Sequence, residues 1–211
     1  MSPTPPPMPL LVGLDIETDT TVDGLDPHVG RVLAVAVAIT DRVTVFDDPD
    51  ERLLLARVDG FLAGLEPGVV VTWNGGGFDL PYLTTRSRLL GVELGLRLTL
   101  DPGLDDRHPP LVGHAGAYRA SWHGHRHLDA YRMYRADLDL ASPEPCSLKA
   151  VARAAGLHPV EVDASRVHLL SRAECATYVA SDARCTAELA RRRWPSASVW
   201  VDRSEPARAL R

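Results

Sequence analysis

Apolar and polar positions along the chain fall into two alternating periods. Leu10 to Ile16 (LLVGLDI) is a short apolar run that meets its first charge at Asp15, and it reads as a buried strand. Arg31 to Thr40, rich in Val and Ala, and Arg42 to Phe46 read as two further strands joined by a very short turn around Asp41. The first three strands are therefore expected to form an antiparallel meander. Glu51 to Leu65 reads as a helix, Gly68 breaks the pattern, and Val69 to Trp73 is a strongly apolar strand. The loop Asn74-Gly75-Gly76-Gly77 follows, then a helix from about Leu80 to Leu90 that ends at Gly91, and a short strand at Leu96 to Leu100. Residues 101–121, broken by Pro102, Pro109, Pro110 and several glycines, are expected to be irregular. His127 to Tyr131 reads as another strand end. Ser147 to Ala155 reads as a helix capped by Ser147, with Gly156 just past its end. The last long helix opens on a capping box, Ser171 with Glu174, and runs to about Arg193 before Pro195.

This succession suits a single α/β domain over residues 10–200, preceded by a Pro-rich disordered leader (1–9) and followed by a polar tail (201–211). No internal repeat or second domain is visible in the 211 residues. The chain is 45% hydrophobic and 24% charged, ordinary for a soluble globular protein with a buried core. A net charge of −5 argues against affinity that rests on a broad basic surface. It leaves open a nucleic-acid substrate at a carboxylate site, where bound cations would reverse the local sign. Of the 23 cationic residues only Lys149 is a lysine. Arginine suits bidentate phosphate contacts, although biased codon usage would leave the same mark. Cys146, Cys175 and Cys185 have no close CxxC spacing and read as free thiols of a reducing compartment. The start carries no early positive charge and its apolar run is short, so neither a secretory signal nor a membrane span is expected there, and a cytoplasmic protein is expected.

Three segments carry chemistry. In Leu14-Asp15-Ile16-Glu17-Thr18 the two acids lie two residues apart on a strand, so they share a face of an otherwise apolar element. Buried like charges repel unless a cation joins them, and hard oxygen donors suit Mg²⁺ or Mn²⁺. A strand end running into an acidic turn is the competing reading. In Trp73 to Leu83 (WNGGGFDLPYL) a strand leads through glycines into a helix, with Asp79 near its N-terminus and Pro81 in its first turn. Asp79 could simply cap that helix, and the glycines could cradle a phosphate, but no Gly-Lys-Ser/Thr follows as in a P-loop. In Tyr178-Val179-Ala180-Ser181-Asp182 the first and last side chains fall on one helix face.

Together these segments resemble the DnaQ-like, or DEDD, superfamily of 3′–5′ exonucleases. Asp15-Ile16-Glu17 matches its D-x-E motif, Asn74 through Asp79 its N-x-x-x-F-D motif, and Tyr178 through Asp182 its Y-x-x-x-D motif, which marks the tyrosine subgroup. The histidine subgroup would place His at position 177, where this chain has Thr177. The continuation Leu80-Pro81-Tyr82-Leu83 is similar to the exonuclease domain of family B DNA polymerases. The resemblance covers about residues 10–190 and implies a ribonuclease H-like α/β fold: a mixed central sheet, its first three strands antiparallel, flanked by helices. No polymerase domain is visible, so a stand-alone nuclease is expected.

The resemblance further implies two metal ions, Mg²⁺ or Mn²⁺, about 3.5–4 Å apart, held by Asp15, Glu17, Asp79 and Asp182. Asp15 would bridge both ions, Glu17 and Asp182 would complete the site of the attacking water, and Asp79 would support the second metal directly or through water. Tyr178 would orient the water, because a phenol with a pKa near 10 is a poor base at neutral pH. Thr18 would meet the terminal nucleotide, while Asn74 and Phe78 could line the path of a single strand, DNA being favoured over RNA. For Phe78 a core anchor that positions Asp79 is the favoured reading over stacking on a base. Protein partners are not specified.

Other readings compete. His123, His125, His127 and Asp129 alternate, and on one strand face they could bind Zn²⁺ or simply be polar. Asp129 falls in what resembles a family strand near the site but is not expected to be a ligand. A phosphatase with an aspartyl nucleophile would need a second Asp where Glu17 stands. A catalytically inactive nucleic-acid-binding or regulatory module of the same fold is the principal alternative, against which all four carboxylates and the tyrosine weigh.

Overall fold

The first strand, β1 (Leu11–Thr18), shows how the sheet is built. Its even positions Val12, Leu14 and Ile16 enter the main hydrophobic core, and its odd positions Gly13, Asp15 and Glu17 fall on the other face. The second strand, β2 (Val32–Ile39), pairs antiparallel with it and sorts its residues by size. Val35 and Val37 join the main core, whereas Ala34, Ala36 and Ala38 line the opposite face. β3 (Arg42–Phe46) returns antiparallel at the edge, completing the expected meander.

The main core is closed by α1 (Glu51–Ala63), through Leu54, Leu55, Val58 and Leu62, then continues into β4 (Val69–Thr72) and α2 (Asp79–Leu90), which adds Leu80, Tyr82 and Leu83. Next come β5 (Leu96–Leu100), β6 (Tyr118–Trp122) and β7 (His125–Asp129). The helices α3 (Ala130–Asp137), α4 (Leu148–Ala154), α5 (Arg172–Arg192) and α6 (Trp194–Trp200) follow. The sheet runs β3-β2-β1-β4-β7-β6-β5, with β1, β4 and β7 mutually parallel and the flanks antiparallel. The computed structural model describes residues 8–101, 109–137, 146–162 and 169–201. Most of the expected leader (1–9) and tail (201–211) thus lies outside the described residues.

The alanine face is the seat of α5. Cys175, Val179 and Ala183 pack on Ala34, Ala36 and Ala38. Small side chains let the helix come close, and Gly13 marks the tightest point: a Cβ there would stand 2.2 Å from the carbonyl oxygen of Ala183 and 2.8 Å from the Ala187 Cβ. The helix begins as its sequence dictates. The Ser171 hydroxyl accepts from the Glu174 N–H, and the Glu174 carboxylate accepts from the Ser171 N–H.

Two expectations need correction. Residues 118–121, read as irregular, belong to β6, which pairs with β5 from Leu96↔Trp122 to Leu100↔Tyr118. The strand expected at His127 to Tyr131 ends at Asp129, where α3 begins. The last long helix does stop before Pro195: α5 ends at Arg192, and Pro195 occupies the first turn of a separate helix, α6, where a missing N–H costs nothing.

Candidate active site

β1 brings Asp15 and Glu17 to the face that α5 covers, and the pairing with β2 slips between Glu17 and Thr18. Such a bulge re-aims the side chains at a strand end. One turn of α5 presents Tyr178 and Asp182 to the same place. α2 contributes Asp79 as its first residue rather than its cap: the N-cap is Phe78, without a side-chain capping bond. The Asp79 carboxylate turns toward β1, where the Ile16 N–H donates to it. The five residues expected to act together thus come from three distant segments into one place.

Their electrostatics follow from that crowding. Asp79 and Asp182 are buried, and Asp15 and Glu17 half-buried. Burial, then the neighbouring Asp79, Asp182 and Glu17, push Asp15 well above the usual carboxylate range. Burial and the charges of Asp182 and Asp79 raise Glu17 to about 8. Burial raises Asp79 to about 7 and is the main cause for Asp182 as well. The Tyr178 phenol is also pushed up, by burial and by Asp182, Glu17 and Asp15.

Among the described residues one cation answers these acids. Lys149, on α4, places its ammonium against the Asp182 carboxylate and 4.2 Å from the centre of the Tyr178 ring, and it lowers Asp15, Glu17 and Asp182 alike. Sequence reasoning gave it no role; its only signal was being the sole lysine of the chain. Among the described residues no three His, Cys, Asp or Glu side chains are gathered as they stand to hold a metal ion. The donor set nevertheless fits divalent cations, since the four carboxylates offer hard oxygen ligands and, among the described residues, Lys149 is the one cation that lowers Asp15, Glu17 and Asp182.

The residues expected to touch substrate are placed as follows. Thr18 is buried, with its hydroxyl donating to the Gly24 carbonyl at 2.8 Å. Phe78 packs on the main core and against Tyr82, ring centres 5.4 Å apart, as an anchor for Asp79. Asn74 is half-buried, with a left-handed φ of 62°. The glycine loop does not cradle a phosphate with its amides. Gly76 donates to Asp129, and Gly77 and Phe78 donate to the Asn74 carbonyl. The histidine row is also broken. His123 sits in the β6–β7 turn with φ 46° and meets Asp59, whereas His125 is buried against Gly68 and Leu62. His127 meets Thr72, and burial lowers its pKa to about 3, so it stays neutral.

Residues 31–151 match the model of the DNA polymerase family B exonuclease domain. The chain is 31% identical over 121 residues to the catalytic subunit of DNA polymerase epsilon from Eremothecium gossypii, covering 57% of this chain and 5% of that protein. It is 30% identical over 154 residues to a DNA polymerase of Thermococcus litoralis, covering 69% of this chain and 8% of that protein. The chain therefore spans less than a tenth of the length of these curated relatives. The structure of a family B DNA polymerase from the archaeon Pyrobaculum calidifontis superposes with a TM-score of 0.69 at 25% identity, over 92% of this chain and 26% of that one. The mixed sheet with flanking helices is the ribonuclease H-like α/β arrangement that the motifs imply. No helix among the described residues is long and apolar enough to cross a membrane.

Proposed function

The chain belongs to the family B DNA polymerase exonuclease domains, which are of the DEDD type, and from that premise we propose that it removes nucleotides one at a time from the 3′ end of single-stranded DNA. The observation that carries the proposal is the meeting of Asp15, Glu17, Asp79, Asp182 and Tyr178 from three segments, with far more acid than their surroundings neutralise. Residues 10–200 act as the exonuclease domain. Asp15, Glu17, Asp79 and Asp182 would hold two Mg²⁺ or Mn²⁺ ions. When bound, such ions lower the pKa of a water and stabilise charge on the phosphate oxygens.

The residues of the chain do the rest. Tyr178, whose raised pKa keeps its hydroxyl protonated, holds the attacking water by hydrogen bonding rather than by taking its proton. Lys149 holds Asp182 in place and counters part of the cluster's negative charge. Asn74 borders the strand's path beside Asp79, and Phe78 fixes Asp79 from beneath. Thr18 meets the terminal nucleotide through its backbone, since its hydroxyl is engaged with Gly24. Water adds across the terminal phosphodiester, and a nucleoside 5′-monophosphate leaves a strand with a new 3′-hydroxyl. The named relatives are DNA polymerases, which supports DNA over RNA.

Parallel digestion of 5′-labelled single-stranded DNA and RNA, with Mg²⁺ or Mn²⁺, tests this. A ladder shortening from the 3′ end is expected, faster on DNA. Asp15→Ala and Asp182→Ala should each lower the rate by more than about 10³-fold, some 4 kcal/mol, with the fold retained by circular dichroism. No shortening of either strand with either metal would leave the chain as an inactive binding module.

A further inference from the structure

Asp129 closes β7 opposite Thr72, the last residue of the parallel β4, so it stands beside the start of the glycine loop. Its carboxylate is buried and accepts three backbone hydrogen bonds: from Asn74 at 2.8 Å, from Gly76 at 3.2 Å and from Tyr131 at 3.2 Å. The Arg132 guanidinium lies 3.6 Å away. The bond to Tyr131 is ordinary N-capping of α3. The two bonds to the loop go beyond what a cap requires.

The loop passes this restraint to Asp79. Asn74, held in a left-handed conformation, receives on its carbonyl the N–H groups of Gly77 and Phe78, and Gly75 receives that of Leu80. From the other side Tyr118 donates to the Gly76 carbonyl at 2.9 Å. Gly76 is closely surrounded, with no space for a side chain: a Cβ there would lie 2.6 Å from the Tyr118 carbonyl oxygen and 2.7 Å from the Arg132 guanidinium. A single buried carboxylate thus ties β7, α3 and the loop together immediately before the residue that faces Asp15.

We propose that Asp129 is a positioning residue for the nuclease site: through the Asn74 and Gly76 amides it fixes the loop that sets the Asp79 carboxylate against β1. The proposal rests on the function given to Asp79 above. It assigns Asp129 no contact with metal or substrate; its action runs through the backbone.

Asp129→Ser is the decisive variant, because serine caps a helix well but is too short to hold the loop amides. Asp129→Asn, which keeps one acceptor oxygen, is the milder companion should the serine variant fold poorly. Hydrogen exchange without metal should show the Asn74 and Gly76 amides exchanging about tenfold faster in Asp129→Ser, with residues 131–134 unchanged. Mn²⁺ affinity by titration calorimetry should weaken about 10- to 100-fold, and kcat should fall by a similar factor with KM for the labelled strand within about twofold. Asp129→Asn should lie between. Wild-type protection at Asn74 and Gly76 would overturn the proposal, as would unaltered Mn²⁺ affinity despite faster loop exchange. A wild-type chain without nuclease activity would defeat the function proposed for the site, whereas the exchange and Mn²⁺ arms would still decide the role of Asp129.

Discussion

Two groups of carboxylates are drawn into this fold and treated in opposite ways. Glu51, at the start of α1, is answered on every side: Arg86 reaches one oxygen at 2.8 Å and the other at 2.6 Å, and the Val32 N–H donates at 2.9 Å. Glu17 shares its surroundings with Asp15, Asp79 and Asp182, and among the described residues Lys149 is the single cation acting on it. The chain is rich in arginine and pairs Glu51 fully, so the acid cluster is not a failure of supply. Unpaired buried charge costs stability, and a fold retains it where the charge has a use. The contrast separates a carboxylate that ties β2 to α2 from carboxylates arranged to receive something positive.

Breaking the paired side should have the larger effect on the fold. Arg86→Met keeps much of the packing volume but leaves Glu51 buried without its partner. A loss of about 3 kcal/mol is expected, roughly 6–12 °C in melting temperature for a chain of this size. The kcat of the remaining folded protein should stay within about threefold, because the damage lies away from the acid cluster. A melting temperature within 2 °C of wild type would show that the Glu51 pair does not hold the fold.

The acid cluster should reveal itself through pH. A carboxyl raised in the folded state contributes stability that is complete below its unfolded pKa and lost as pH rises through the folded value. For Glu17 that value is about 8, and for Asp79 about 7. Between pH 6.5 and 9 in EDTA, stability should therefore fall by about 2 kcal/mol, or roughly 4–8 °C. Starting at pH 6.5 avoids the opposite contribution of His127, which is neutral when folded and takes up a proton on unfolding below its usual pKa. Glu17→Gln should remove most of the fall, and millimolar Mn²⁺ should reverse it in the wild type. A flat profile in EDTA would mean that the acids are not under strain.

How much of this was legible beforehand depends on the distance between partners. Asp15 and Glu17 could be read because the two-residue period of a strand puts them together within a local apolar run. Tyr178 and Asp182 could be read for the same reason on a helix, with Ser171 and Glu174 marking where it starts. β6 could not, because Ala120 and Trp122 are its only fully buried residues and the prolines and glycines before it mask a short strand. α3 was hidden because the Asp129 backbone ends a strand while its side chain caps a helix, two roles that a single periodicity cannot show. Lys149 meets Asp182, and Asp129 meets Asn74, only after β4, β7 and the helices have come together. The acids that gather at the site are more legible in the sequence than the groups that hold them in place.

The smallest effect expected on the acid side belongs to Tyr178, and it sharpens what that side is for. Its hydroxyl is held protonated by burial and by Asp182, Glu17 and Asp15, so it cannot act as a base near neutral pH. In the proposed reaction its use is to hold the attacking water, a contribution of about one hydrogen bond. Tyr178→Phe should accordingly lower kcat about tenfold, near 1.4 kcal/mol, with KM little changed. The ring beneath the Lys149 ammonium survives in phenylalanine, so the contact between Lys149 and Asp182 should persist and the EDTA pH profile should keep its shape. A rise in KM with kcat intact would move Tyr178 from the water to the strand. Unchanged turnover would remove it from the chemistry, leaving the four carboxylates and Lys149 as the working parts of the site.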